Sequence, residues 1–399
     1  MEAVLVSNGP GELYTWAYPV YKTIRELQPN WKISISLIPC QYASGREAEI
    51  AATFGADGVS TPKEFLTYTT TGKRPAALGD ETGFVISLGG NQNMALQLGK
   101  RLGYATYSYK FVPAWNKELK RLFVHDETAL KKAKRLGVPE GRLELIGNLV
   151  ADAVDYVAPA EVSGSPHILL MAGTRDGFSI FLIPFVIAVA DYLHAYFPEA
   201  SFVWPVSRLL SEETIREGIA GKERAILEGM GGSRKGQTIL TPSGAKIAMI
   251  EEHERHAHMR SADLAITIPG TNTLELGIAG LPSIVILPMN KPEAIPLDGL
   301  GHWLGLIPLV GKYIKRHAVK LFVEGLDVPV SLPNRAAGED LMLELKGKIT
   351  AKQVAEEAKK LLDQPEVLTQ KRDRLLATMP KAGAARKLVE SIRKDLNAG

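Results

Sequence analysis

An apolar run, Asp263-Leu264-Ala265-Ile266-Thr267-Ile268, leads directly into Pro269-Gly270-Thr271-Asn272-Thr273-Leu274-Glu275. This reads as a buried strand that ends in a Gly/Thr loop, with a helix starting inside the loop. The first-turn amides of a helix have no intrahelical acceptor and its dipole favours negative charge there, so the loop amides and the hydroxyls of Thr271 and Thr273 can hold a diphosphate. Glu275, one turn further on, can accept hydrogen bonds from ribose hydroxyls. The plain alternative makes Thr271 or Asn272 a helix cap and Glu275 a capping-box acid. Both can hold at once, because capping geometry is also what opens an anion site.

Further loops have related chemistry. Ala172-Gly173-Thr174-Arg175 follows a second apolar run, and a guanidinium offers a planar fork of donors suited to phosphate oxygens. A surface arginine on an ordinary loop explains the same four residues equally well. Ser7-Asn8-Gly9-Pro10-Gly11-Glu12 joins the first strand to the first helix; Gly9 and Gly11 permit close backbone approach, and Glu12 is a carboxylate at the rim. A dinucleotide fold would want a third glycine near Trp16 and an acid ending the second strand, which instead ends Pro39-Cys40. Gly89-Gly90-Asn91-Gln92-Asn93 ends another strand, and its amides either bind sugar hydroxyls or cap the next helix. Trp115 lines a cleft or belongs to the core. Asp126 and Glu127, after the strand Leu122–Val124, are further carboxylates at a strand end. His253, His256 and His258 lack metalloprotease spacing and read as a solvated helix surface.

The elements that position these loops alternate along the chain. Strand-like runs fall at Val4–Val6, Ile33–Ile38, Phe84–Leu88, Ala105–Ser108, Leu122–Val124 and Leu143–Ile146, separated by helical periodicity. Val157–Pro166 has linker character. Strands then resume at His167–Met171, Phe202–Trp204, Leu264–Ile268 and Ile284–Leu287. The fold class is therefore α/β, with a domain over 1–160, a second over 166–375, and a final helix over 376–399. That helix packs on the first domain or on a second copy of the chain, so a homodimer stays open. The glycine-rich stretch Gly229–Gly236 reads as a mobile loop.

At 399 residues, with 45% hydrophobic and 23% charged residues, the chain suits two ordinary globular cores. A net charge of +3 is too small for a nucleic-acid partner. One cysteine, Cys40, excludes an internal disulfide and argues against a thiolate metal site. The N-terminus lacks the basic flank of a signal peptide, and Phe181–Val189 is too short to span a bilayer, so the chain is expected in the cytoplasm.

Together these loops resemble those of lipid A disaccharide synthase and its relatives, a membrane-associated glycosyltransferase family of GT-B fold. Gly9-Pro10-Gly11-Glu12, Gly173-Thr174-Arg175, Gly270-Thr271-Asn272-Thr273-Leu274-Glu275 and Leu332-Pro333-Asn334-Arg335 with Leu343-Glu344-Leu345 match its loops in order. The resemblance implies two Rossmann-like doubly wound domains in tandem with a helical C-terminal segment. It also implies a UDP-sugar held by the second domain, with Arg175 and Asn334 facing the diphosphate or sugar and Glu275 the ribose. The acceptor, lipid-linked or saccharide, would lie against the first domain at Gly9, Gly11, Gly90, Asn91 and Asn93, with peripheral contact to a membrane surface. Asn91 stands where the family has an acidic residue, and Asn8 replaces another, so the acceptor is expected to differ from the family's. The expected reaction is inverting transfer of a hexosamine-type sugar without metal or cofactor. Glu12 is the first candidate base, and Asp126 or Glu127 the second. A UDP-sugar 2-epimerase and a non-catalytic sugar-nucleotide-binding relative are the rival readings.

Overall fold

Alternate residues of the opening strand, β1 (Glu2–Ser7), face two separate apolar layers. Ala3 and Leu5 pack on one side, and Val4 and Val6 on the other. A strand buried on both faces reads as a continuous apolar run, which is why no alternation is visible in its sequence. In the computed structural model, which describes residues 1–40, 45–79, 82–290 and 329–397, this strand is central to the first of two units. Six further strands join it: β2 (Lys32–Leu37), β3 (Gly58–Ser60), β4 (Gly83–Ser87), β5 (Ala105–Lys110), β6 (Arg121–Val124) and β7 (Leu143–Leu145). All pairings are parallel, in the order β3-β2-β1-β4-β5-β6-β7, so the chain reverses its direction of travel between β1 and β4.

The last helix, Ala384–Asn397, belongs to this first unit. Ala384, Ala385, Leu388, Val389 and Ile392 join the layer behind Ala3 and Leu5. The buried carboxylate of Asp152 accepts the N–H groups of Gly383 and Ala384 at 2.9 and 3.0 Å, and Arg121 donates to Asp395 at 2.6 Å. A carboxylate at a helix N-terminus is favoured by the unpaired amides and the dipole. The unit comprises Met1–Tyr156 and Pro380–Gly399, and the second unit Val157–Met379. The helix Pro365–Thr378 therefore stays with the second unit, and the chain crosses back just after it.

The second unit repeats the arrangement with β8 (His167–Leu170), β9 (Ser201–Val206), β10 (Ser233–Lys235), β11 (Thr238–Leu240), β12 (Lys246–Glu251), β13 (Leu264–Thr267), β14 (Ser283–Pro288) and β15 (Leu343–Gly347). Its order is β10-β11-β12-β9-β8-β13-β14-β15, and the six strands from β12 to β15 are parallel. The reversal here falls between β8 and β13. The helix Asp176–Tyr196 is long and apolar enough to cross a membrane by length and composition, yet 72% of its apolar window is buried inside the unit.

The expected mobile loop at Gly229–Gly236 is instead the entry to an antiparallel hairpin, β10–β11, that extends the sheet edge. Its glycines serve close packing. A Cβ on Gly229 would sit 2.6 Å from the carbonyl carbon of Pro184, and Met230 N–H donates to the Pro184 carbonyl at 2.9 Å.

Candidate functional site

In an open parallel sheet, the loops leaving the two strands on either side of the reversal diverge and leave a crevice at the carboxyl ends. In the first unit those loops are the ones after β1 and β4. Gly89 and Gly90 have φ of +135° and +60°, and a Cβ on either would lie 2.7–3.1 Å from atoms of Asn8, Glu12 or Ile38. A Cβ on Gly9 would meet Glu12 Oε2 at 2.6 Å. The glycines thus let two loops close around the Glu12 side chain, which is half-buried. Just beyond Glu12 the helix takes one π-helical turn, Leu13–Ala17, a local irregularity that often accompanies function. Asn8 Oδ1 is buried and has no hydrogen-bond partner among the described residues.

Lys110, the last residue of β5, completes the crevice and was not anticipated. Its ammonium donates to the Gly90 carbonyl at 2.5 Å. Burial lowers its pKa, and the nearby charge of Glu12 opposes that shift. A cavity of about 460 Å³ opens here, lined by Gly90–Asn93, Lys110, Val112, Trp115 and Asn116 among others. The available signal was a lone lysine directly after four buried strand residues, Thr106–Tyr109. Asn91 caps the helix Gln92–Leu102, its Oδ1 accepting Asn93 N–H at 2.9 Å, while Asn93 stays exposed. Gly11 is exposed, and its carbonyl accepts the Thr15 hydroxyl at 2.8 Å. Asp126 and Glu127 follow β6, which pairs with β5 so that Val124 lies opposite Lys110, but neither lines this cavity. β6 lies three strands from β1, about 14 Å at ordinary strand spacing. Asp126 is engaged as a helix cap, accepting Ala129 N–H at 2.7 Å, and Glu127 is exposed in the first turn behind it.

In the second unit the corresponding loops follow β8 and β13. Gly173 has φ +82°, and a Cβ there would lie 3.0 Å from Ser179 Oγ and 3.5 Å from Ile268. Asn272 reaches from the second loop to Thr267 Oγ1 at 2.5 Å and to the Met171 sulfur at 3.7 Å. Thr174, Arg175, Gly270 and Thr271 are exposed at this junction, and Arg175 has no ion pair among the described residues. Two helices begin here, Asp176–Tyr196 and Asn272–Ile278. Free donors, a guanidinium and two positive helix ends make this junction complementary to a polyanion.

Three residues expected to touch a ligand here have other work. The Thr273 hydroxyl donates to the Gly270 carbonyl at 2.8 Å and accepts Leu332 N–H at 3.2 Å, so it stitches two loops together. Asn334 is fully buried. Its amide donates to the Met342 carbonyl at 2.8 Å and to Glu344 at 3.0 Å, and its carbonyl accepts Met342 N–H at 2.7 Å. Glu275 does not cap its own helix; Arg255 and His256 donate to its Oε2 at 2.8 and 2.7 Å. Burial opposes its charge, but Arg255 and His256 together hold its carboxyl well below the usual carboxylate range. The histidines at 253–258 therefore do not form a solvated face. His256 is buried against Glu275, and His258 Nδ1 lies 3.2 Å from His167 Nε2. Only His253 stays exposed. Among the described residues no group of three or more His, Cys, Asp or Glu side chains could hold a metal ion.

No family model matches the chain. It is 24% identical to a lipid-A-disaccharide synthase of Trichlorobacter lovleyi over 321 residues, 76% of this chain and 70% of that protein. It is 27% identical to a lipid-A-disaccharide synthase of Gluconobacter oxydans over 210 residues, 52% of this chain and 40% of that one. Among solved structures, the S. aureus MnaA–UDP complex superposes with a TM-score of 0.58 at 13% identity, covering 100% of this chain and 97% of that one. The Neisseria meningitidis UDP-GlcNAc 2-epimerase bound to UDP-GlcNAc gives 0.54 at 12% identity, over 99% of this chain and 100% of the other. The two tandem doubly wound units are thus the GT-B architecture.

Proposed function

We propose that this chain, a divergent member of the lipid A disaccharide synthase-like GT-B family, transfers a hexosamine-type sugar from a UDP-sugar to a lipid-linked or saccharide hydroxyl with inversion. The second unit holds the donor. Its diphosphate lies at the two helix N-termini, contacted by the Gly173 and Gly270 backbone, the Thr271 hydroxyl and the Arg175 guanidinium. The acceptor lies on the first unit, in the cavity bordered by Gly90–Asn93 and Lys110.

The observation that carries this reading is Glu12, a half-buried carboxylate at a reversal point whose side chain has no hydrogen bond among the described residues. A carboxylate there can take the proton from an acceptor hydroxyl as its oxygen bonds to the anomeric carbon. The anomeric carbon–phosphate oxygen bond breaks, and its electron pair leaves with UDP. Arg175 and the helix termini stabilise the charge that develops on the leaving diphosphate. Lys110, one loop away, balances the charge of Glu12 and can orient an acceptor oxygen.

The solved structures with the higher TM-scores favour a second reading, UDP-sugar 2-epimerisation, which uses the donor alone. Thermal stabilisation by UDP, UDP-GlcNAc, other nucleotides and NAD, followed by product analysis with and without acceptors, separates the possibilities. A ligand that binds only the folded state at a hundred times its Kd raises stability by about 2.7 kcal/mol. Selective stabilisation by UDP with turnover only when an acceptor is present supports transfer. Release of UDP or a 2-epimer without acceptor replaces transfer with epimerisation, and stabilisation by NAD alone removes both.

A further inference from the structure

In the first unit, the cavity beside Gly90 offers hydrogen-bond donors and keeps its side-chain acceptors occupied. Asn91 Oδ1 accepts Asn93 N–H at 2.9 Å, and Asn116 Oδ1 accepts Glu118 N–H at 3.0 Å. Each partner is a backbone N–H, so the oxygen of each amide must face its own loop and the Nδ2 group is the end left over. Neither Nδ2 has a hydrogen bond among the described residues. The Lys110 ammonium has three protons and places one on the Gly90 carbonyl. All three residues line the cavity of about 460 Å³, and among the described residues its lining includes no aspartate or glutamate. Trp115, half-buried, and Val112 add apolar surface to it.

Free donors grouped with one cation are complementary to a carboxylate, whose two oxygens only accept. A neutral hydroxyl gains no such charge assistance, and an ammonium is repelled. Burial disfavours the charge of Lys110, so a partner of opposite sign is favoured beside it. The charge of Glu12 already acts on the same lysine, which penalises a ligand with a second negative charge, such as a phosphate monoester. We propose that this cavity takes a sugar bearing a carboxylate, held by the Lys110 ammonium and the Nδ2 groups of Asn91 and Asn116, so that the acceptor of the transfer is a uronate-type saccharide. The inference rests on the transfer reading for the sugar's role as acceptor, while the carboxylate site stands on the cavity. Asn91 then sets the preference, because an acid at this position would face the ligand's own charge.

The test is calorimetric binding of methyl β-D-glucuronide, methyl β-D-glucoside and glucose 6-phosphate to the full chain, with UDP binding measured alongside. Charge-assisted bonds predict that wild type prefers the glucuronide to the glucoside by roughly 10-fold. Asn91→Asp should lose that preference while its affinity for the glucoside stays within about twofold of wild type. Aspartate caps a helix as well as asparagine, so this variant should keep its melting temperature. Should it melt early, Asn116→Asp, which keeps the acceptor for Glu118 N–H, makes the same test. Equal binding of glucuronide and glucoside by wild type, or no glucuronide binding at millimolar concentration, overturns the proposal. Tighter binding of the phosphate overturns the carboxylate assignment. A preference lost in Arg175→Ala but kept in Asn91→Asp puts the anion on the second unit and overturns it too. A glucuronide preference without any binding of UDP removes the transfer reading and leaves the carboxylate site standing.

Discussion

The two reversal points are built alike and filled differently. After β1 and β4, glycines close two loops around Glu12, Asn8 and Lys110, and Asn8 Oδ1 has no hydrogen-bond partner among the described residues. After β8 and β13, Thr273, Asn334, Glu344 and Glu275 bond to one another's loops or to Arg255 and His256. Glu344 alone accepts Val330 N–H, Ser331 N–H and the Ser331 hydroxyl at 2.8–2.9 Å. The first crevice thus keeps polar groups without partners among the described residues, whereas the second is a pre-organised frame from which Arg175, Thr174 and Thr271 project. A polar residue in a signature loop can be scaffold, and only its hydrogen-bond account separates the two roles.

The largest effect tests the open crevice. Glu12→Gln should lower kcat by roughly 10²- to 10⁴-fold, the usual contribution of a positioned base, with UDP affinity unchanged. Full turnover in this variant would move the base elsewhere. The frame is tested by Asn334→Ala, which leaves the Met342 amide and carbonyl buried without partners. It should cost about 2–4 kcal/mol in chemical denaturation, and an unaffected midpoint would return Asn334 to the ligand. Arg175→Ala inverts that pattern. Stability should stay within about 0.5 kcal/mol of wild type, while UDP affinity falls roughly 10-fold or more.

The smallest effect concerns the far end of the same unit, where His167 and His258 face each other. Burial and then the His258 charge push the His167 pKa down to about 4. The unfolded chain then binds a proton that the folded chain refuses, so stability falls as pH drops below the ordinary histidine value and stops falling near the folded one. Between about pH 7 and about pH 5.5 the loss should be about 1 kcal/mol, and His167→Asn should flatten it. A melting temperature that rises on acidification would contradict the assignment.

Much of this architecture is legible in the chain. The buried strands β1, β2, β4 to β6, β8, β9, β13 and β14 announce themselves as short apolar runs between helical periodicities. Shorter or edge strands do not: β3 is Gly-Val-Ser, β10 is Ser-Arg-Lys, and β15 is half polar, because an edge strand need not be apolar on both faces. The same limit hid the hairpin that starts within Gly229–Gly236 and ends at Leu240, where glycine serves close approach to Pro184 and looks like a turn signal in sequence.

For the site, residue type and position after a strand located both crevices, because in a parallel sheet the carboxyl-end loops beside the reversal must diverge whatever their composition. Sequence thus determined the two α/β units, the loops that leave the strands beside each reversal, and the lack of a dinucleotide motif after β1. Tertiary structure alone decided which polar groups in those loops are already satisfied. It buried Asn334, turned Glu275 toward Arg255 and His256, brought Lys110 to Glu12, and placed Asp126 three strands away. Those outcomes depend on pairing between residues remote in the chain, and the free energy of a polar side chain is set by the partners it meets when water is removed.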